Sequence, residues 1–579
     1  MADEPSPSSP VYEEIEAKFR VTDSGQAQVL RTMPTIAERF PLGPITNIEN
    51  VDTYYDSADL CLLRQGQSLR MRQAGDALLV TAKSIGLHTP KGLHTRSEIE
   101  RAATHLSPEA PLLCKRDLPA DLLEGVGDLL GEKTNLHPIV RLVQARAKRT
   151  VFADDPAHIP LAEFSLDDVS VLRAAKDPTA EAWCEAARFT TLEVELAPGA
   201  DREQLREIAL WLREWPGLET DDQNKLQQAL LALRADALSP EKTDANADHN
   251  LHMAELCRRV WGEQLTTMLV NEAGVRFSDD IEYVHDMRVA TRRARAAGKL
   301  YADYFDPKSR KVERFMRNLR TTGRLLGSVR DLDVALHKLA EYADEEGATD
   351  KSTRALQEKW TRQRASAHTK LVKWLDSKKY RRFVTAFLHF CGSPGTAVAR
   401  FAPEPGEPPT PHQVRHVLPS LILGRYEAIR AFEVLFENAR ATSDEVPIET
   451  LHALRIECKY MRYHLEFNAA LLGPESAGLI RALKGLQEHL GELNDASVSS
   501  ALVAHSISDN PSDSAADDGA ADDSAADDGA AGDERDGIAD YAALQASTQE
   551  ALRHSLPADL DAFLAPETRR TLALAIARI

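Results

Sequence analysis

VYEEIEAKFRV, residues Val11 to Val21, places Glu14, Glu16, Lys18 and Arg20 at every second position, with Ile15, Ala17 and Phe19 between them. Successive side chains of a β-strand point to opposite faces, so this run has one ionic face and one apolar face. On a single strand such charge is ordinarily a solvated surface. The β-prone runs that follow repeat it. Arg70 and Arg72 alternate in SLRMR, Lys83 closes LVTAK, and Arg96, Glu98 and Glu100 alternate in RSEIE. Arg146 and Lys148 alternate in ARAKR, Glu163, Ser165 and Asp167 in EFSLD, and Glu193 and Glu195 in LEVEL. Closed into a barrel, these faces would enclose a lumen of cations and carboxylates in place of a packed apolar core. Arg and Lys grip phosphate oxygens and carboxylates hold hard divalent cations through oxygen, so the lumen suits a polyphosphate bound with Mg2+ or Mn2+.

Outward from these strands the pattern changes. Val11 to about Leu196 is short and alternating, Asp201 to Ala235 is helical, and SPEKTDANADHN at Ser239 to Asn250 is a polar linker. Helix periodicity then continues almost to the end, broken by the Pro-rich stretch Ala402 to Pro411. With 579 residues the chain is too long for one core. The expectation is an α+β multidomain protein: a disordered tail at 1–10, an antiparallel β domain with helices at 11–236, a linker at 237–250, and an all-α domain at 251–579. AADDGAADDSAADDGAA has no large apolar side chain, so a disordered acidic insertion is expected at about 505–540.

The net charge of −20 is unevenly distributed. His505 to Asp540 holds twelve acids against one base, whereas Ile281 to Asp333 holds thirteen Lys/Arg against seven Asp/Glu and Lys351 to Arg382 eleven against two. A basic module inside an acidic protein points to a polyanionic partner. No apolar run of about 18 residues exists to span a membrane. MADEPSPSSP has neither the basic start nor the apolar stretch of a secretory signal, so the expected location is the cytoplasm. The six cysteines, Cys61, Cys114, Cys184, Cys257, Cys391 and Cys458, lie far apart and suggest neither a zinc site nor a disulfide framework.

ExExK at Glu14 to Lys18, YYDS at Tyr54 to Ser57, SLRMR, LVTAK and the acidic closing strand before a helix resemble the CYTH superfamily, the triphosphate tunnel metalloenzymes, over about Val11 to Ala235. The resemblance implies an eight-stranded antiparallel tunnel that binds triphosphate with a divalent metal, Mg2+ or Mn2+. It implies that Lys18, Arg70, Arg72, Lys83 and Arg146, with Lys148, contact phosphates. It also implies that Glu14, Glu16, Glu163, Asp167, Glu193 and Glu195 surround metal, and that Glu14, Glu16 and Lys18 belong to the catalytic set. Arg96, Glu98, Glu100, Asp168 and Lys225 match the pattern less closely, and Thr191 stands where the family often has a third acid in the closing strand. The family's activities include inorganic, thiamine and RNA triphosphatases and class IV adenylate cyclase. Metal-assisted attack of water on the terminal phosphorus is the expected reaction, because no nucleophilic Ser, Cys or His stands among these strands.

The helical half contains a repeat. VHDMRVATRRAR at Val284 to Arg295 is echoed by LHALRIECKYMR at Leu451 to Arg462, and LRTTGRLLGSVRDLDV at Leu319 to Val334 by LKGLQEHLGELNDASV at Leu483 to Val498. His285, Arg288, Arg292, Arg295 and Lys299 fall within an arc of about 80° along about 21 Å of helix. His452, Arg455, Lys459 and Arg462 repeat the spacing, and Arg320 and Arg324 correspond to Lys484 and Glu488. A solvated helix usually interleaves acids at i+4; these matched positions do not. The duplicated motifs resemble the CHAD domain over about Asn250 to Ile579, which implies two related helical bundles binding inorganic polyphosphate along a basic cleft. On that reading His285, Arg288, Arg292, Arg295, Lys299, Arg320, Arg324, His452, Arg455, Lys459, Arg462 and Lys484 bind the chain. Nucleic acid is disfavoured as the polyanion, since Tyr460 and Tyr463 are the main aromatics available to stack bases.

The combined expectation is a metal-dependent hydrolase of inorganic triphosphate or a related triphosphate, with polyphosphate bound by the helical domain. The alternatives are a non-catalytic polyphosphate-binding scaffold at polyphosphate granules and, with no recognisable adenine pocket to support it, an adenylate cyclase.

Overall fold

The computed structural model describes residues 12–236, except 75–76, 85–86, 89–93, 104–105, 108–109, 121, 132–133, 156, 158, 175–182 and 222, and residues 249–579, except 347–350, 402–404, 443–445 and 509–529. The expected tail at 1–10 and nearly all of the linker lie outside the described residues. The acidic insertion does so at 509–529 only. Residues 505–508 and 530–540, expected to be disordered, are helical. Alanines at 530, 531 and 539 favour helix once an adjoining helix supplies the nucleus.

The chain forms two compact units, one of residues 1–238, 262–290 and 381–389, the other of 239–261, 291–380 and 390–579. In the first, eight strands close on themselves: β1 (Tyr12–Val21), β2 (Thr46–Asp56), β3 (Gln67–Ala74), β4 (Ala77–Ser84), β5 (His94–Ala102), β6 (Asn135–Phe152), β7 (Pro160–Ala174) and β8 (Trp183–Leu196). The order around the ring is β1-β8-β7-β6-β2-β3-β4-β5, and β5 pairs back to β1, every pairing being antiparallel. Three short strands, Leu87–His88, Leu113–Cys114 and Leu218–Thr220, attach to β5, β6 and β1 and bring the sheet to eleven. Closure removes the edges that a charged open sheet would expose.

The period-2 alternation sorts the side chains. Ile15, Ala17, Phe19, Phe164, Leu166, Leu192 and Val194 face outward beneath α1 (Ser24–Thr32) and α2 (Arg202–Arg213). Asp23 caps α1 by accepting from the Gly25 amide at 2.7 Å, and Asp201 caps α2 by accepting from the Glu203 amide at 2.9 Å. Leu69, Met71, Val80 and Ala82 face a second outer cluster with Leu113, Leu122 and Leu130. At one level the lumen itself is apolar: Tyr54, Val140, Leu142, Val169 and Val171 pack with Leu63, with Leu226 and Ala229 of α3 (Lys225–Asp236), and with Val270 of α4 (Met253–Phe277).

Beyond α4 the elements are helical: α5 (Ile281–Tyr301), α6 (Lys311–Glu346), α7 (Lys351–Leu375), α8 (Lys378–Cys391), α9 (Val414–Arg430), α10 (Glu433–Thr442), α11 (Ile448–Phe467), α12 (Glu475–Ser508), α13 (Ala530–Leu564) and α14 (Pro566–Ile576). The duplicated motifs fall on α5 and α6 in the first copy and on α11 and α12 in the second. In the second unit Trp261 stacks on Phe305 at 5.4 Å between ring centroids and donates to the Ala294 carbonyl at 2.8 Å. Among the described residues no helix is long and apolar enough to cross a membrane, and all six cysteines are free.

Candidate active site in the tunnel and a basic cavity in the helical unit

The inward-facing charges sit in cross-strand rows. Glu16 of β1, Glu195 of β8 and Glu163 of β7 lie opposite one another, and the next row holds Lys18, Glu193, Ser165 and Lys148. The third row holds Arg20, Thr191, Asp167 and Arg146. On the other wall Lys83 of β4 faces Glu98 of β5 and Ser68 of β3, while Arg70 faces Thr81 and Tyr54. These side chains surround a cavity of about 250 Å3 lined by Glu16, Arg70, Arg72, Lys83, Glu98, Glu100, Arg146, Glu193, Glu195 and Lys225 among others.

Two buried aspartates organise the arginines. Asp52, fully buried, accepts two bonds from Arg72 at 2.7 and 2.8 Å, a third from Gln144, and lies 3.6 Å from Arg70. Asp167, equally buried, accepts two from Arg146 at 2.7 and 2.8 Å and meets Lys225 at 2.6 Å. Burial pushes both carboxyls up, but Arg70 and Arg72 outweigh it at Asp52, and Lys225 and Arg146 at Asp167, so both are held below the ordinary carboxylate range. Glu193 follows the same logic: Lys225, Lys18 and Arg146 overcome burial and hold it well below its usual value. Glu98 is likewise lowered by Lys83 and Arg70 against burial. The carboxylates therefore stay ionised at neutral pH, and Arg70 and Arg146, raised in turn by them, stay charged.

Of the expected phosphate ligands, Arg70, Arg72, Lys83 and Arg146 line the cavity. Lys18 lies behind its wall, 3.6 Å from Glu193, with its ammonium donating to the Gln223 carbonyl at 2.6 Å. Lys148 reaches Glu163 in a close ion pair. Of the expected metal ligands, Glu16, Glu193 and Glu195 line the cavity, whereas Glu163 and Asp167 are engaged by Lys148 and by Arg146 and Lys225. Glu14 lies on β1 opposite Arg96, and the side chains of both lie outside the described residues. Asp168 is on the outside, bonded to Arg31 at 2.7 Å and to Thr190 at 2.8 Å. Thr191 donates to the Phe19 carbonyl at 3.1 Å. Asp52, Tyr54, Thr81 and Gln144 were not singled out from the sequence, although Asp52 and Tyr54 share the alternation of the quoted strands.

No group of three His, Cys, Asp or Glu side chains about one point occurs among the described residues. The donors available are nonetheless of one chemical kind. Glu16 and Glu195 are directly opposed on neighbouring strands, where Cβ atoms stand about 4.5–5.5 Å apart, and both reach the cavity. All-oxygen, anionic donors of this sort fit a hard divalent cation that takes its remaining ligands from water or phosphate.

In the second unit, Arg292, Arg295 and Lys299 of α5, Arg320 of α6, and Lys459, Tyr460 and Tyr463 of α11 line a cavity of about 770 Å3. Tyr460 has Lys299, Lys459 and Arg425 at 4.9, 5.1 and 5.3 Å from its ring centroid. Burial, then the charges of Arg292, Arg455, Lys299 and Arg295, pull the Lys459 ammonium down to about 8. A cation so placed is a site short of negative charge. Arg324, His452 and Lys484 are exposed on α6, α11 and α12 outside that lining, and Arg462 is turned to Glu466 and to Gln487 at 3.0 Å. His285 and Arg288 precede Arg292 on α5, within the stretch that belongs to the first unit.

A closed antiparallel barrel with an ionic lumen, joined in one chain to a duplicated helical region with a basic cavity, defines a two-module architecture. The CYTH domain family model matches residues 13–228 and the CHAD domain model residues 259–504, and the chain belongs to the proteins that carry both. Solved structures it is similar to include the CHAD domain from the plant Ricinus communis (21% identity, TM-score 0.39, covering 53% of this chain and 93% of that one). PptA from Streptomyces chartreusis is similar at 17% identity and TM-score 0.38, covering 53% of this chain and 98% of that one. A further likeness is to HpAC1 from Hippeastrum, described as a putative adenylyl cyclase with a dominant triphosphatase activity (16%, TM-score 0.24, covering 38% and 95%). No curated protein matches the chain.

Proposed function

We propose that the tunnel hydrolyses inorganic triphosphate or a related triphosphate with a divalent metal, Mg2+ or Mn2+, and that the helical unit binds inorganic polyphosphate at its basic cavity. The carrying observation is the lumen: a small cavity lined mainly by charged side chains, in which Asp52 and Asp167 hold Arg72 and Arg146 in fixed orientations before any ligand arrives. Such preorganised forks favour a highly charged, oxygen-rich substrate and cost little reorganisation during reaction.

Arg70, Arg72, Lys83 and Arg146 bind the phosphate chain. Glu16 and Glu195 would hold the cation, Glu14 lying two residues before Glu16 on β1, and a bound cation would neutralise phosphate charge. Among the described residues the cavity lining contains no Cys or His, and its serines are occupied without a basic partner: Ser68 donates to the Lys83 carbonyl at 3.2 Å and Ser84 accepts from the Ser97 amide at 2.9 Å. Water is therefore the attacking group, displacing the remaining phosphate chain in line at the terminal phosphorus.

Phosphate release from tripolyphosphate by the purified protein, with Mg2+ or Mn2+ and an EDTA control, tests the reading. Wild type should turn over only with metal, and Glu16→Gln should lose that turnover by at least 100-fold while keeping polyphosphate binding. Undiminished turnover in Glu16→Gln refutes the assignment of the lumen.

A further inference from the structure

We infer that α4, which lies outside the matched barrel sequence, completes the floor of the tunnel, and that Gln227 is the positioning residue through which α4 sets the Lys225 ammonium in the lumen. The inference rests on the lumen being the triphosphate site.

The path lies within the first unit. Val270 of α4 belongs to the same buried cluster as Leu226 and Ala229 of α3 and the lumen-facing Val140, Leu142, Val169 and Val171. The α4 segment is tied to the barrel by ions. Arg64, on the turn Cys61–Arg64 between β2 and β3, is 2% exposed and contacts both oxygens of Glu272, itself fully buried, at 3.1–3.2 Å. Arg276 holds the same carboxylate at 2.7 Å, and Asp59 lies 3.3 Å from Arg64. The buried Glu272 carboxylate is thus shared by two arginines, and such a buried ionic contact needs one geometry, which sets where this stretch of α4 lies against the turn. Gly66, at φ +72°, lets the chain pass α4 closely: a Cβ there would stand 3.6 Å from Ala273 and 3.7 Å from Phe277.

From α4 the connection to the lumen is one side chain long. Gln227, 3% exposed, donates through Nε2 to the Val270 carbonyl at 3.0 Å and accepts through Oε1 from the Asn224 amide at 2.9 Å. Its own amide donates to Asn224 Oδ1 at 2.8 Å. The next residue is Lys225, whose Nζ lies 2.6 Å from Asp167 and 2.6 Å from Glu193, the carboxylates that also bind Arg146. A carbonyl oxygen has two lone pairs, so Val270 can accept from Gln227 without giving up its helical bond. A leucine of similar size would fill the space but leave the Val270-to-Asn224 bridge unmade.

A double-mutant cycle in the full-length protein separates positioning from plain stability. Gln227→Leu should weaken tripolyphosphate binding about tenfold in the wild-type background and less than twofold in Lys225→Met. An equal loss in both backgrounds overturns the inference, because Gln227 would then act independently of Lys225. A second readout needs no phosphate ligand: acylation of Lys225 by acetic anhydride, followed by mass spectrometry, should be at least threefold faster in Gln227→Leu than in wild type. Unchanged acylation overturns the positioning role. Wild-type protein that binds no tripolyphosphate, with Gln227→Leu still acylated faster than wild type, would sink the proposed function while leaving the positioning of Lys225 by Gln227 intact.

Discussion

Replacing Asp52 with Asn removes one charge from the best-ordered part of the lumen while keeping its shape. Asp52 is fully buried and meets Arg72 through two bonds, Gln144 through another and Arg70 at 3.6 Å. Removing one partner of a buried pair costs about 3–5 kcal/mol. Arg70 and Arg72 keep 13% and 17% of their side-chain exposure, so water in the lumen takes up part of the loss and about 3 kcal/mol is the fitting end of that range. At 1.4 kcal/mol per factor of ten, the barrel should open on the order of 100-fold more often. Hydrogen exchange of peptides covering 46–56 and 67–74 reads this directly, with 475–508 in the other unit as an internal control. The pH dependence fixes the sign. The folded carboxyl is held below its ordinary value of about 3.9, so its contribution is present above that pH and is lost as pH falls through the folded value. The difference between wild type and Asp52→Asn should therefore stay constant from pH 5 to 8 and shrink below about 4. An exchange rate within threefold of wild type at pH 7, or a difference that grows on acidification, refutes the reasoning.

Two further outcomes concern the helical unit. Because Lys459 is pulled down to about 8, it sheds its proton between pH 7 and 9, and polyphosphate binding should weaken several-fold over that interval in wild type but stay flat in Lys459→Met, as measured by titration calorimetry at fixed ionic strength. A parallel decline in both proteins would remove Lys459 from the site. Gly298→Ala brings a Cβ within 2.3 Å of Met316 Sδ and 2.9 Å of the buried Trp261 ring, so the unit should lose about 1–3 kcal/mol in a denaturant melt. Unaltered stability would mean that α5 and α6 can separate without cost.

The barrel was legible because its signal is local: charge at every second position of Glu14–Arg20, Arg70–Arg72 and Glu193–Glu195 names the strand, its inward face and the chemistry of that face at once. The repeat on α5 with α6 and α11 with α12 was legible for a similar reason, since duplicated spacing survives changes of residue. What a lone sequence does not carry is partner choice. Asp167 and Glu195 look alike on paper, yet one is committed to Arg146 and Lys225 while the other reaches the cavity beside Glu16. Asp52 stands in NVDTYYDS with the right parity, but an acid between Val51 and Thr53 gives no hint that two arginines from the next strand will close on it. Arg462 fits the basic stripe by spacing and is diverted by Glu466, one turn later. α4 begins after a polar linker, and its apolar periodicity says that it is covered without saying by what; the cover proved to include the barrel.

The apolar level of the lumen gives the tunnel a direction. Tyr54, Val140, Leu142, Val169, Val171, Leu226 and Val270 fill the bore where one end of the charged stretch stops, so no polyanion can thread past them without stripping its water against hydrocarbon. On the proposed function, a lumen filled at this level would take a phosphate chain by its tip. Long polymers would then be trimmed from their termini, internal linkages would stay out of reach, and each released fragment would have to leave by the way it came before the next could enter.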